Sequence, residues 1–167
     1  LDPHKTSTVA EAHLLRDLRE GLVIHDMRGE VVPGVAESWT MSPDGRSWRF
    51  KLRGNAKWCN GDPVKASDFV YSFRRIINPE TGAKYANLLF PIRNAEATHK
   101  AAAGSSLDAL GVAAPDESTL EIEIEQPTPY LQALLTHQSA LPVHPPSVAK
   151  AAQEPTRPEN WITNGPY

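Results

Sequence analysis

One amphipathic stretch of the chain reads Ser42-Pro43-Asp44-Gly45-Arg46-Ser47-Trp48-Arg49-Phe50-Lys51-Leu52-Arg53. Its first four residues predict a turn, because proline presets φ and glycine tolerates a positive φ. After the turn, Trp48, Phe50 and Leu52 alternate with basic residues, and a period of two is typical of a half-buried strand. Together with a short strand predicted at 38–41, the stretch predicts a β-hairpin.

The same alternation returns further along the chain. Residues 112–114 lead through the turn at 115–118 into 119–125, where Leu120, Ile122 and Ile124 alternate with glutamates. We expect these apolar side chains to face inward with those of the first hairpin. If the two outer faces are neighbours, their opposite charges will form cross-strand ion pairs. The basic residues at 49, 51 and 53 could alternatively form a nucleic-acid-binding surface. A solvent-exposed outer face of an amphipathic strand is the commoner explanation of this pattern.

Helices are predicted between and around the hairpins. A capping box, Thr8 to Glu11, begins a helix with Leu15, Leu18 and Leu22 on one face and Gly21 at its end. A longer helix at 66–78 carries four apolar residues on one face, namely Phe69, Phe73, Ile76 and Ile77. Short helices are predicted at 85–90 and 95–103, and a further helix is predicted with Pro129 near its first position. Residues 142–158 read as a connection rich in proline and alanine. The fold class is mixed α/β (α+β).

Composition excludes several functional classes. The 167 residues carry 17 Lys+Arg against 20 Asp+Glu, so bulk positive charge cannot drive nucleic-acid binding. A single cysteine, Cys59, excludes an intramolecular disulfide framework, and we interpret it as a small, partly buried residue. The six histidines lack metal-ligand spacing, and no nucleophile or phosphate-binding motif is present. We therefore expect no metal, no cofactor and no enzymatic activity.

No run in the chain is long and apolar enough for a membrane span, and no stretch of it has the pattern of a signal peptide. It opens on Leu1-Asp2-Pro3-His4 and stops on Asn164-Gly165-Pro166-Tyr167, neither of which reads as a natural terminus. We therefore expect a piece of a longer protein.

Three stretches together resemble a known family. The first stretch comprises Leu1-Asp2-Pro3-His4-Lys5, Arg16-Asp17-Leu18 and Glu20-Gly21-Leu22-Val23. The second begins with Pro33-Gly34-Val35-Ala36-Glu37-Ser38-Trp39 and continues through Ala56-Lys57-Trp58, Asn60-Gly61-Asp62-Pro63-Val64 and Asp68-Phe69-Val70-Tyr71-Ser72. The third is Thr163-Asn164-Gly165-Pro166-Tyr167. In this order they resemble the extracytoplasmic oligopeptide-binding proteins of ABC importers, solute-binding protein family 5. The resemblance runs essentially from end to end.

The resemblance implies a periplasmic-binding-protein-like, type II architecture, with two lobes around a ligand cleft and an extra small domain. Residues 1–21 would belong to lobe one and residues 22–142 to the extra small α/β domain. Residues 143–167 would return to lobe one, and the second lobe would be missing.

The function implied by the resemblance is capture of oligopeptides in the periplasm, or on a lipid-anchored extracytoplasmic face, and their delivery to the permease subunits. Such proteins grip the peptide main chain, which gives affinity without sequence preference. A dipeptide, a murein peptide or a nickel complex remains open as the ligand. A stand-alone protein-interaction module is the alternative from another functional class.

The resemblance also implies a few ligand-binding residues. It places Ser7, Thr8 and Val9 in the cleft, because the segment after Lys5 lines the cleft in the family. Tyr85 matches a cleft tyrosine near the N-terminal end of the peptide. Ser7 stands where a well-known family member carries glutamate, and a neutral hydroxyl cannot offer the same charge to a lysine side chain.

Overall fold

A computed structural model describes residues 1–153 and 157–165. Its helices are α1 (Val9–Leu18), α2 (Ala66–Ile77), α3 (Ala95–Lys100), α4 (Leu131–Leu134) and α5 (Pro145–Gln153), and its strands are β1 (Val23–His25), β2 (Val31–Pro33), β3 (Ala36–Met41), β4 (Ser47–Leu52), β5 (Val112–Asp116) and β6 (Thr119–Glu123). Short 3-10 turns occupy Pro79–Thr81, Ala86–Leu89, Gln138–Ala140 and Pro158–Asn160. The alternation of helices with hairpins confirms the mixed α/β class.

The two predicted hairpins pair into one antiparallel sheet of order β3-β4-β6-β5. Trp48 lies opposite Ile122, and Phe50 lies opposite Leu120. The predicted inward face is buried, with Phe50 and Ile122 at 0% exposure. On the outer face Arg49 lies opposite Glu121 and forms an ion pair with it, as the opposite charges of the two strands predict.

Helix α2 covers the inner face of this sheet, and its four predicted apolar residues are fully buried. Lys65, the N-cap residue of α2, makes no side-chain hydrogen bond to the start of the helix. Instead the Asp68 carboxylate accepts from the backbone N–H of Lys65 at 3.0 Å and from Trp58 Nε1 at 3.0 Å. One carboxylate thereby joins the helix start to the core.

Three predictions at the ends of the chain are wrong. Helix α1 ends at Leu18, and Arg19 continues as extended backbone, so Gly21 does not end the helix and Leu22 lies outside it. Leu22 is buried instead beside β1, a strand that pairs with β2 and that the sequence did not predict. The 142–158 connection contains α5, which starts on two prolines because the first turn of a helix needs no proline N–H.

Two smaller corrections concern single residues. Pro129 precedes the N-cap of α4, Tyr130, rather than occupying its first turn. Cys59 is exposed rather than partly buried, because it lies at a surface turn where its backbone N–H donates to Thr163 O at 2.7 Å. Pro166 and Tyr167, which end the resemblance, lie outside the described residues. The domain boundaries 1–21, 22–142 and 143–167 stay a prediction.

Candidate functional site

The first candidate residues, Ser7, Thr8 and Val9, form an exposed step at the start of α1. The carboxylate of Glu11 holds this step in place. One of its oxygens accepts from the backbone N–H of Ser7 at 3.1 Å, from that of Thr8 at 3.0 Å and from Thr8 Oγ1 at 2.8 Å. These hydrogen bonds lower the pKa of Glu11, so the carboxylate stays charged and the step stays ordered.

Tyr85 lies beside this step, although 78 positions separate it from Ser7. It precedes the 3-10 turn Ala86–Leu89, and its hydroxyl donates to the backbone carbonyl of Ser7 at 3.3 Å. Its ring is half-buried and meets the edge of the His137 ring, with 5.1 Å between the centroids. The structure thus brings Tyr85 and Ser7 together, two of the four residues implied by the resemblance.

His137 and Gln138 form the other side of this region, and sequence reasoning missed both. Ser139 donates its backbone N–H to His137 Nδ1 at 3.2 Å, so that nitrogen acts as an acceptor. Burial, followed by the charge of Arg16, lowers the pKa of His137, and the ring is neutral at pH 7. Gln138 donates to Thr6 Oγ1 at 3.2 Å and ties the start of the chain to this turn.

A buried polar cluster of Asp2, His4 and Arg75 holds the chain directly before the step. Arg75 of α2 donates to Asp2 through two nitrogens, at 3.0 and 2.6 Å, and to His4 Nδ1 at 2.8 Å. His4 Nε2 faces the carbonyl oxygen of Leu141 at 3.2 Å, so this nitrogen carries the proton. The cluster fixes the backbone of residues 2–6 directly before Ser7.

Burial shapes the charges of this cluster. It lowers the pKa of His4 to about 3, and the nearby charge of Arg75 acts in the same direction. Burial alone would raise the pKa of Asp2, but the hydrogen bonds and charge of Arg75 outweigh it and hold that pKa below its usual value. At neutral pH the cluster therefore contains one ion pair and one neutral imidazole.

Chemically, the region offers recognition groups. It presents the hydroxyls of Ser7 and Thr8, the apolar side chain of Val9, which is 75% exposed, and the half-buried side chain of Tyr85. Residues 1–153 and 157–165 contain no group of three His, Cys, Asp or Glu side chains placed to hold a metal ion. Within the same ranges no helix is long and apolar enough to cross a membrane.

Residues 30–167 match the family described as bacterial extracellular solute-binding proteins, family 5 Middle. Over its full length the chain is 42% identical to the periplasmic oligopeptide-binding protein OppA of Escherichia coli (strain K12). It is 43% identical to the periplasmic murein peptide-binding protein MppA of the same organism.

Solved structures show the same similarity. The substrate-binding domain of an oligopeptide ABC transporter from Bacillus anthracis superposes with a TM-score of 0.93 at 38% identity, over 98% of this chain and 32% of that one. Haemophilus influenzae OppA in complex with RPPGFSPFR gives a TM-score of 0.93 at 42% identity, over 99% of this chain and 32% of that one. The chain spans 31% of the length of both curated relatives named above.

Proposed function

The chain belongs to family 5 of the bacterial extracellular solute-binding proteins, and on this basis we propose that it captures oligopeptides for import by an ABC transporter. The observation that carries the proposal is the 42% identity to OppA over all 167 residues. OppA and MppA of Escherichia coli are periplasmic binding proteins by name. We extend three properties to this protein: a periplasmic or extracytoplasmic location, a permease partner in the membrane and no catalysis.

Residues 7–9 and Tyr85 form one side of the proposed ligand site. An exposed step of backbone and small side chains suits an extended peptide, because main-chain hydrogen bonds bind peptides of many sequences. The phenol of Tyr85 offers an apolar face and a polar tip in one side chain. Its weak 3.3 Å bond to Ser7 is easily exchanged for a bond to a ligand.

Ser7 sets a preference within this function. A serine brings no charge, and one oxygen of the Glu11 carboxylate already accepts from three donors at the step. Residue 7 therefore offers no opposite charge of its own to a lysine side chain of the ligand. We propose that the site takes neutral side chains here rather than cationic ones.

The test uses the intact protein purified from cells. Native mass spectrometry is expected to find co-purified peptides, and calorimetry with tri- to pentapeptides is expected to give a binding isotherm. Tyr85→Ala should weaken binding at least tenfold, which corresponds to about 1.4 kcal/mol. Tyr130→Ala is the matched control, because Tyr130 is an exposed tyrosine, at 59%, that precedes α4.

The alternatives predict different outcomes. A murein peptide or a dipeptide would appear in the same mass spectra at its own mass, and a nickel complex would appear with its metal. Absence of any small ligand, together with capture of a protein partner, would favour the interaction module and contradict the proposal. Equal binding by the Tyr85 and Tyr130 variants would place the ligand elsewhere on the protein.

A further inference from the structure

His137 is the N-cap of the 3-10 turn Gln138–Ala140, and it caps this turn with its side chain. Its Nδ1 accepts from the backbone N–H of Ser139 at 3.2 Å and lies 2.9 Å from Ser139 Oγ. Only 2% of the surface of Ser139 is exposed, so water cannot readily replace the imidazole as the acceptor. The cap therefore requires an Nδ1 that carries no proton.

The capped turn holds two parts of the proposed ligand site. Gln138 donates to Thr6 Oγ1 at 3.2 Å and so fixes the chain directly before the step at residues 7–9. The His137 ring itself contacts the ring of Tyr85, with 5.1 Å between the two centroids. A change at the cap is therefore transmitted both to the step and to Tyr85.

Protonation of His137 is incompatible with this cap. A protonated imidazole carries an N–H on both ring nitrogens. Its Nδ1 can then donate to Ser139 Oγ, but the backbone N–H of Ser139 faces another donor and loses its acceptor. A buried N–H without an acceptor costs more than the attraction between a cationic ring and the neighbouring tyrosine ring returns. We therefore expect protonation to open the cap.

The surroundings of His137 also disfavour the cation. Burial and then the charge of Arg16, on α1, lower the pKa of His137. Helix α2 packs against the same turn, and its Arg75 is paired with Asp2. The 3-10 turn Ala86–Leu89 also packs there and has no charged side chain. None of these elements offers His137 a free carboxylate that would hold the proton.

We propose that His137 is a positioning residue that makes peptide binding depend on pH. The neutral ring caps the turn and keeps Tyr85 and the chain before Ser7 in place for the ligand. When the ring is protonated, the cap opens and only a fraction of the molecules has an ordered site, so the apparent affinity falls. This inference rests on the proposed function, because it concerns the same site.

The test uses the intact protein, its His137→Asn variant and a His25→Asn control. Asparagine is a preferred N-cap residue, and its side-chain oxygen can accept from the Ser139 N–H without ever gaining a proton in this pH range. His25 is exposed, and its Nε2 lies 2.9 Å from the Oγ1 of Thr136, the residue before His137. The control therefore removes a neighbouring histidine that does not cap the turn.

Calorimetry measures the dissociation constant of trialanine at pH 7 and at pH 4.5. Both termini of this peptide stay mostly charged in this range, because the amino group titrates at about 7.7–8.0 and the carboxyl group at about 3.3–3.7. Acidification should weaken binding by the wild type and by the control at least about threefold more than binding by His137→Asn. Equal losses in all three proteins would overturn the proposal.

Hydrogen–deuterium exchange reports on the cap without a ligand. The protection of residues 138–140, corrected for the intrinsic pH dependence of exchange, should fall at pH 4.5 in the wild type but not in His137→Asn. Unchanged protection in the wild type would contradict the opening of the cap, whether or not trialanine binds. If protection falls but trialanine does not bind at pH 7, the proposed function fails while the proton-dependent cap is supported.

His137→Ser replaces His137→Asn if the asparagine variant does not fold. Serine is also a preferred N-cap residue and does not titrate in this range. We expect the serine variant to lose the same part of the pH dependence. A serine variant that is as sensitive to pH as the wild type would contradict a role for the His137 ring.

Discussion

Arg75 holds both carboxylate oxygens of Asp2, at 3.0 and 2.6 Å, across 73 positions of sequence. The two side chains are only 14% and 12% exposed, so the pair lies largely outside water. Removal of one partner from a buried pair leaves an uncompensated charge, and that loss is much larger than the net value of the pair.

Arg75→Met should therefore lower the free energy of unfolding by about 3–5 kcal/mol. Arg49→Met removes an exposed partner of Glu121 and should cost at most about 1 kcal/mol. Chemical denaturation of the two variants gives both values. Equal losses would mean that the Asp2–Arg75 pair does not anchor the start of the chain.

His4 makes stability depend on pH. Its pKa is lowered to about 3 in the folded protein, among Arg75, Asp2 and Arg19, and is close to 6.5 in the unfolded chain. Between these two values the unfolded chain binds the extra proton. Stability should fall as pH decreases from about 6.5 to 3, with a contribution from His4 of up to about 1.4 kcal/mol per pH unit.

His4→Gln should remove this contribution, because the glutamine amide can both accept from Arg75 and donate to Leu141. Urea denaturation at several pH values between 3.5 and 7 measures the difference in slope. His13→Gln, on the exposed face of α1, controls for the loss of a histidine. Parallel curves for the wild type and His4→Gln would contradict a neutral, buried His4.

Phe50 lies at the centre of the core. It is 0% exposed, lies opposite Leu120 and stacks near Trp48 and Trp39. Phe50→Ala should cost about 3–5 kcal/mol, since it removes a large buried ring and leaves a cavity. Met27→Ala, at a fully exposed side chain in the β1–β2 turn, should stay within about 0.5 kcal/mol of the wild type.

Gly165→Ala tests the contact between the 163–165 segment and α1. The added Cβ would meet the carbonyl carbon and oxygen of Leu18 at 2.5 and 2.6 Å, and a backbone cannot move aside easily. We expect a loss of about 1–3 kcal/mol by thermal denaturation. Gly54→Ala, where nothing lies within 4 Å of the new methyl, is the control and should be nearly neutral.

Ser7→Glu tests the proposed ligand preference. An added carboxylate on the exposed step should favour peptides with a lysine near the N-terminal end by about two- to fivefold, or up to about 1 kcal/mol. Calorimetry with a lysine peptide and its norleucine analogue separates this charge effect from contact area. An unchanged ratio of the two affinities would place residue 7 away from the ligand.

The alternation at 48–52 and 120–124 predicted the sheet face, because a period of two assigns each side chain to one side. The end of α1 was harder to predict. Leu22 continues the helical spacing, yet its burial comes from the segment before β1. Helix α5 was missed because two prolines at its start suggest a connection, although the first turn of a helix accepts them.

The residues of the candidate site could not be predicted from sequence patterns in this way. Ser7 and Tyr85 were named from a family resemblance, and no periodicity in the sequence connects them. His137 and Gln138 have no local signal, since their roles depend on contacts with Tyr85 and Thr6 that cross 52 and 132 positions. Such contacts follow from the packing of the whole chain.

The hydrogen bond between His4 and Leu141 joins residues 137 positions apart, and this separation in sequence affects folding during synthesis. Both hairpins and α2 can form before residue 141 has been made, because their partners are closer in sequence. At ordinary translation rates, roughly 7–27 s pass between the synthesis of His4 and that of Leu141. During that interval His4 lacks its Leu141 partner, and its docking cannot be complete before residue 141 has been made.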